Sequence, residues 1–180
     1  MRLGIYMGSF NPPHKAHIKI VNYLLEKNYV DKVLIVPTLG YWDKLNLVDI
    51  KHRINMLRIY ENDKIIIDDK HNKYIYTLEL IKELEKVYPQ EELFIIMGAD
   101  NILQLDKWKN YQELLKYNII VIPRDGIDIN KYMKIYNGDF IIVKGFKSMN
   151  ISSTNIRNKL FLKYLDKEVL EYINKNHLYQ

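Results

Sequence analysis

The chain has 180 residues, with 27 Lys plus Arg against 22 Asp plus Glu for a formal charge of +5, and 48% of it is apolar. That length is a prior for one domain, and the apolar fraction with only seven Gly and five Pro excludes a disordered or low-complexity chain. The lack of Cys excludes disulfides and thiolate metal sites, and no apolar run approaches the roughly 18 residues that cross a bilayer.

Leu3, Ile5 and Met7 open an apolar strand, Gly8 to His14 form a turn, and Ile18, Val21 and Leu25 then recur at helical spacing. Val33 to Val36 are a short β-branched run closed by Pro37, after which Ile50, Ile54 and Leu57 mark a helical face that Asp49 can cap. Ile65 to Ile67 read as a third strand. Leu80, Ile81, Leu84 and Val87 lie on a helix that stops before Pro89, and Leu93 to Met97 form a buried strand running into Gly98. Tyr111 to Tyr117 read as helical, Ile119 to Ile122 and Phe140 to Val143 as strands, and two helices follow, at Thr154 to Tyr164 and Lys167 to Asn176.

Strands alternating with helices imply a doubly wound, Rossmann-like α/β fold: a parallel sheet covered on both faces, with C-terminal helices. No repeat or linker-like tract divides it, so residues 1–180 are expected to form one domain. The first residues lack the parts of a signal peptide, and a cytoplasmic location is the expectation. The basic surplus invites a nucleic-acid reading. However, the chain is rich in Ile, Lys, Asn and Tyr, whose codons are A- and T-rich. Acidic residues are interspersed with the basic ones, and no long run of like charge marks a binding tail. No nucleic-acid partner is expected; the surplus suits a small polyphosphate equally well.

In such a sheet, ligands sit beyond the carboxyl ends of the strands. Special residues cluster at those ends: Gly8 to His17 after the first strand, Gly98 to Asp100 after the fourth, Arg124 to Gly126 after the fifth. The first group, Gly8-Ser9-Phe10-Asn11-Pro12-Pro13-His14-Lys15-Ala16-His17, says most. Gly8 permits close approach of the backbone to a ligand, and two prolines stiffen the turn before a helix. His14 and His17 project to nearly the same side at a helix start, where the dipole favours phosphate. A cap plus a surface histidine, or a metal pair lacking an obvious third ligand, are the plainer readings. Ile151-Ser152-Ser153-Thr154-Asn155-Ile156-Arg157 joins an extended segment to another helix start. Its serines suit an N-cap, and with Arg157 one turn in they also make a fork for β- and γ-phosphates.

Gly-x-Phe-x-Pro-x-His-x-x-His, followed about 130 residues later by Ile-Ser-Ser-Thr-x-Ile-Arg, resembles the nucleotidylyltransferase superfamily and specifically the bacterial nicotinate-mononucleotide adenylyltransferases. Lys44, His52-Arg53, Thr77-Leu78, Gly98-Ala99-Asp100, Trp108 and Pro123-Arg124-Asp125-Gly126 stand in the family's order, so the likeness covers nearly the whole chain. The resemblance implies adenylyl transfer from ATP to nicotinate mononucleotide, giving nicotinate adenine dinucleotide and pyrophosphate, with Mg²⁺ on the ATP phosphates and no metal site of the protein's own. By that resemblance His14, His17, Lys44 and Arg157 are the catalytic set, and His17 stabilises the transition state at the α-phosphate. Gly8, Ser9, Phe10, Ser152, Ser153, Thr154 and Arg124 are implied for ATP. For the mononucleotide, Asn11, Thr77 and Gly98 are implied, with Asp100 on ribose hydroxyls and Trp108 stacking on the pyridine; Lys109 is a candidate partner for the ring carboxylate.

The chain departs from the pattern at Met7-Gly8, where the family often has Gly-Gly, at Asn11 for Asp, and at Ala16 for Gly between the histidines. Tyr41-Trp42-Asp43-Lys44 stands where Pro-Pro-His-Lys is common, and Asn72-Lys73-Tyr74 where Ser-Tyr-Thr is common. These last two bear on base choice, so nicotinamide mononucleotide or phosphopantetheine is an alternative acceptor. A nucleotide- or RNA-binding module that has lost catalysis is the alternative of another class. No fused kinase or hydrolase segment is visible, and a stand-alone transferase is expected.

Overall fold

A computed structural model describes residues 1–39, 47–159 and 161–180. Six strands, β1 (Arg2–Gly8), β2 (Lys32–Pro37), β3 (Ile65–Ile67), β4 (Glu92–Gly98), β5 (Asn118–Ile122) and β6 (Phe140–Ile142), form one sheet in the order β3-β2-β1-β4-β5-β6. All neighbours are parallel: Ile5 of β1 stands opposite Leu34 on one side and Ile95 on the other. The chain winds outward from β1 to β3, then returns to place β4 against the other edge of β1. This reversal opens a crevice beyond the carboxyl ends of β1 and β4.

Both faces are covered, which is why the strands read as near-continuous apolar runs. Leu3, Ile5, Leu34, Ile95 and Met97 pack on one face with Leu80, Ile81 and Leu84 of α3 (Thr77–Val87). Tyr6, Val33, Ile35 and Ile96 pack on the other with Val21 and Leu24 of α1 (Lys15–Glu26) and Ile54 and Leu57 of α2 (Ile50–Arg58). Asp49 caps α2 as expected, accepting from the Lys51 N–H at 2.8 Å. A third cluster joins Ala16 of α1 and Met56 of α2 to Ile156 of α7 (Ser153–Arg157) and to Val169 and Ile173 of α8 (Lys167–Lys175). It seats the last part of the chain beside the first turn.

The helix expected over Thr154 to Tyr164 is broken. α7 ends at Arg157, Lys159 and Phe161 take left-handed backbone at φ 58° and 64°, and a 3₁₀ turn spans Leu162–Tyr164. Left-handed residues cannot continue a right-handed helix. The break lets Ile156 and Leu165 both enter the third cluster, at 3% and 5% exposure. α5 (Tyr111–Leu114) stops three residues before the expected end, because Lys116 and Tyr117 turn the chain into β5. The short α4 (Ala99–Ile102) and α6 (Ile129–Tyr136) lie outside the expected elements; α6 nonetheless carries a helical stripe, Ile129, Tyr132, Met133 and Tyr136, packed on the α3-face cluster, and an Asp128 N-cap.

Candidate active site

The β1–α1 turn is built around Phe10, which is 2% exposed with φ 46° and packs edge-on against Tyr6 and His17. A Cβ at Gly8 would lie 3.0 Å from the Phe10 ring, so the glycine is set by this packing. His14 is the N-cap of α1 and donates its backbone N–H to Nδ1 of His17 at 3.2 Å. Accepting there leaves the proton of a neutral His17 on Nε2, making that nitrogen a donor. The two rings stack with centroids 3.7 Å apart. His14 is 2% exposed, and among the described residues its buried Nδ1 has no hydrogen-bond partner. Burial lowers its pKa to about 4, so it is uncharged at neutral pH.

The second motif docks directly onto this turn. Ser152 caps α7 by accepting from the Asn155 N–H at 3.2 Å, and Ser153 Oγ donates to the Pro12 carbonyl at 2.9 Å. Arg157 donates to the Asn11 carbonyl at 2.7 Å and to Thr154 Oγ1 at 3.1 Å. A guanidinium has five N–H donors, so these two bonds leave capacity for an anion. Ser153 and Arg157 thus reach across more than 140 positions to the residues preceding His14.

A cavity of about 760 Å³ opens over this junction, in the size range of nucleotide sites. Of the expected site residues, Ser9, Asn11, His14, His17, Gly98, Asp100, Arg124, Ser152, Ser153, Thr154 and Arg157 line it. Asp100 at the start of α4 and Arg124 after β5 form an ion pair within that lining, so the presumed ribose acceptor and the presumed ATP cation hold one another. Asp100 is the one carboxylate among the described lining residues. Among the described residues no group of three His, Asp or Glu could hold a metal ion.

The other expected residues lie elsewhere. Gly8 and Phe10 are absent from the described lining and shape the turn from beneath it. Thr77 is buried at the first position of α3, and Trp108 is half-buried against the core cluster of the α3 face. Lys109, the candidate for a ring carboxylate, is already engaged: its Nζ lies 3.0 Å from Glu79 and 4.1 Å from the Tyr76 ring centroid. These three gather around the start of α3 and line none of the cavity described. Lys44, with Trp42, lies outside the described residues.

Arg53 had appeared only as a landmark beside His52. It is 2% exposed and donates to the carbonyls of Ser9 at 2.8 Å, Thr38 at 2.6 Å and Val48 at 3.0 Å. A signal existed, since Arg53 falls on the apolar stripe of Ile50, Ile54 and Leu57, where an arginine must be buried. Tyr179, whose hydroxyl reaches Asn11, gave no such signal.

Residues 5–159 match the cytidylyltransferase-like family. A protein of Flavobacterium johnsoniae named "Probable nicotinate-nucleotide adenylyltransferase" is 32% identical over all of both chains. Its namesake from a Thermoanaerobacter species is 34% identical over 100% of this chain and 95% of its own. This chain is a cytidylyltransferase-like protein of the nicotinate-nucleotide adenylyltransferase group. Among solved structures, Plasmodium falciparum nicotinic acid mononucleotide adenylyltransferase complexed with NaAD superposes with a TM-score of 0.82 at 25% identity, covering 99% of this chain and 97% of that one. The sheet order of this adenylyltransferase and the resemblance carried by its two motifs therefore agree. No helix among its described residues is long and apolar enough to cross a membrane.

Proposed function

We propose that this chain transfers the adenylyl group of ATP to nicotinate mononucleotide, giving nicotinate adenine dinucleotide and pyrophosphate. One observation carries the reading: the turn leading into the His14–His17 pair and the Ser152-to-Arg157 motif, from opposite ends of the chain, are bonded through the Asn11 and Pro12 carbonyls, and both histidines and the motif line the same cavity at the reversal of the sheet. A triphosphate in that cavity meets imidazole donors at one end and the α7 fork at the other.

An oxygen of the mononucleotide phosphate attacks the α-phosphorus in line, and the bond from that phosphorus to the oxygen bridging to the β-phosphate breaks as pyrophosphate leaves. The attacking phosphate is already anionic, so no general base is required. His17 Nε2–H donates to a non-bridging α-phosphate oxygen as charge gathers there, and uncharged His14 offers a second donor beside it. Ser152, Ser153, Thr154 and Arg157 hold the departing pyrophosphate, with Lys44 assigned to the same charge by resemblance. The sparse carboxylates of the lining suit a Mg²⁺ carried on the phosphates, which it would neutralise when bound. Asp100 and Arg124 would exchange their ion pair for ribose hydroxyls and phosphate when substrates enter.

Pyrophosphate release with ATP and Mg²⁺, run in parallel with nicotinate mononucleotide, nicotinamide mononucleotide and phosphopantetheine and with products identified by mass, tests this reading. Nicotinate adenine dinucleotide should form fastest. Turnover only with another acceptor would keep the chemistry and overturn the substrate, and ATP binding without turnover on any of them would overturn both.

A further inference from the structure

The turn from Ser9 to His14 is held from several sides: by Arg157 at the Asn11 carbonyl, by Ser153 at the Pro12 carbonyl and by Arg53 at the Ser9 carbonyl. A further hold comes from the segment following α8. The Tyr179 hydroxyl donates to Oδ1 of Asn11 at 2.8 Å, across 168 positions of sequence. The same Oδ1 accepts the Val48 N–H at 3.2 Å, and the Val48 carbonyl accepts from Arg53 Nε at 3.0 Å.

Asn11 is 1% exposed, so two protein donors on its side-chain oxygen stand in for water. Asn11, which lines the cavity, is thus also a junction within the turn. The Tyr179 ring packs on the third cluster, which includes Ala16 between the two histidines. Burial raises the phenol pKa, so the hydroxyl carries its proton at neutral pH and acts as a donor.

We propose that Tyr179 is a positioning residue for adenylyl transfer. By donating to Asn11 Oδ1, it holds the turn so that the His14–His17 pair and Arg157 meet the same triphosphate. The inference rests on the adenylyl-transfer reading above. Tyr179 reaches no reacting atom; it acts through Asn11, whose carbonyl is the contact of Arg157. Binding of ATP draws on many donors at once, whereas in-line transfer depends on their alignment, and small misplacements cost rate. The loss should therefore fall on kcat rather than on KM.

The test is Tyr179→Phe, which keeps the ring and its packing. Its kcat for pyrophosphate release should fall about tenfold while KM for ATP stays within about twofold, the pattern of a lost transition-state interaction. The melting temperature should move by less than about 5 °C. Exchange of the Val48 amide hydrogen should quicken, because its acceptor loses its second partner. Adding Tyr179→Phe to Asn11→Ala should cost no further rate if both act through one contact.

An active wild type with an unchanged kcat in Tyr179→Phe would overturn the proposal, as would full additivity of the two losses. Should Asn11→Ala fail to fold, the single variant and the Val48 exchange decide the matter. A wild type without turnover would instead refute the adenylyl-transfer reading, and unaltered Val48 exchange would then overturn the anchor itself.

Discussion

His14 combines two features that rarely coexist in a structural histidine: it lines a ligand-sized cavity while almost wholly buried, and its buried Nδ1 has no hydrogen-bond partner among the described residues. Its pKa, lowered to about 4 by burial, has a consequence for stability. The unfolded chain takes up a proton at this ring near the ordinary value of about 6.5, whereas the folded chain resists until about 4. The unfolded state therefore binds more protons in that window, and stability is complete above it and falls as the pH drops through it. The shift corresponds to roughly 3 kcal/mol lost in all from this group. Urea unfolding between pH 7.5 and pH 4 should show a shallower decline for His14→Asn than for the wild type. Parallel declines would show that His14 is not held neutral. The neighbouring His17 presents a different chemistry from the same motif, since its Nδ1 is occupied by the His14 N–H and its Nε2 is fixed as a donor. A sequence shows two histidines three apart; which nitrogen faces the ligand follows only from the turn that stacks them.

At the scale of elements, the site depends on how two helix starts and a buried arginine are joined. Arg53 is buried on α2; burial lowers its pKa, opposed by nearby Tyr179 and Asp49, and its N–H groups are satisfied by three carbonyls from three different segments. Arg53→Met would strand those carbonyls and should cost about 3 kcal/mol or more in urea unfolding. Arg53→Lys should recover part of that loss, because a single ammonium cannot fork to all three. Equal stability of Arg53→Met and the wild type would mean that the guanidinium contributes nothing net. The strands and the long helices were readable because each buries a repeating stripe: Ile65 to Ile67 are an uninterrupted apolar run, and Leu80, Ile81 and Leu84 share one face of α3. The break after Arg157 was not readable, since helix-compatible residues continue past it and only the third cluster demands that Ile156 and Leu165 both turn inward. Likewise, the engagement of Lys109 by Glu79 and Tyr76 depends on α3 lying beside the segment after α4, which local sequence does not state.

At the scale of the whole molecule, the reversal between β3 and β4 decides where the ends of the chain meet. The first strand lies in the middle of the sheet, so its turn opens at the crevice, and the third cluster folds α7 and α8 back against it. Two motifs separated by most of the chain thereby become one site, bonded through the carbonyls of Asn11 and Pro12. Both motifs were legible as separate anion sites, each at a helix start. Their pairing around one triphosphate was an expectation of the sequence; the contacts that join them at the Asn11 and Pro12 carbonyls, and the hold of Tyr179 on Asn11, are properties of the fold that no spacing encodes.

The central claim is that both ends of the chain act on one triphosphate. Single-turnover adenylyl transfer by the wild type, His17→Ala and Arg157→Ala, with saturating ATP and nicotinate mononucleotide, tests it most directly. Each variant should remain folded by circular dichroism and lose about 10²- to 10³-fold in rate, the cost of removing one preorganised donor from a developing charge. Wild-type rates in either folded variant would contradict it, because that end of the chain would then have no part in the transfer.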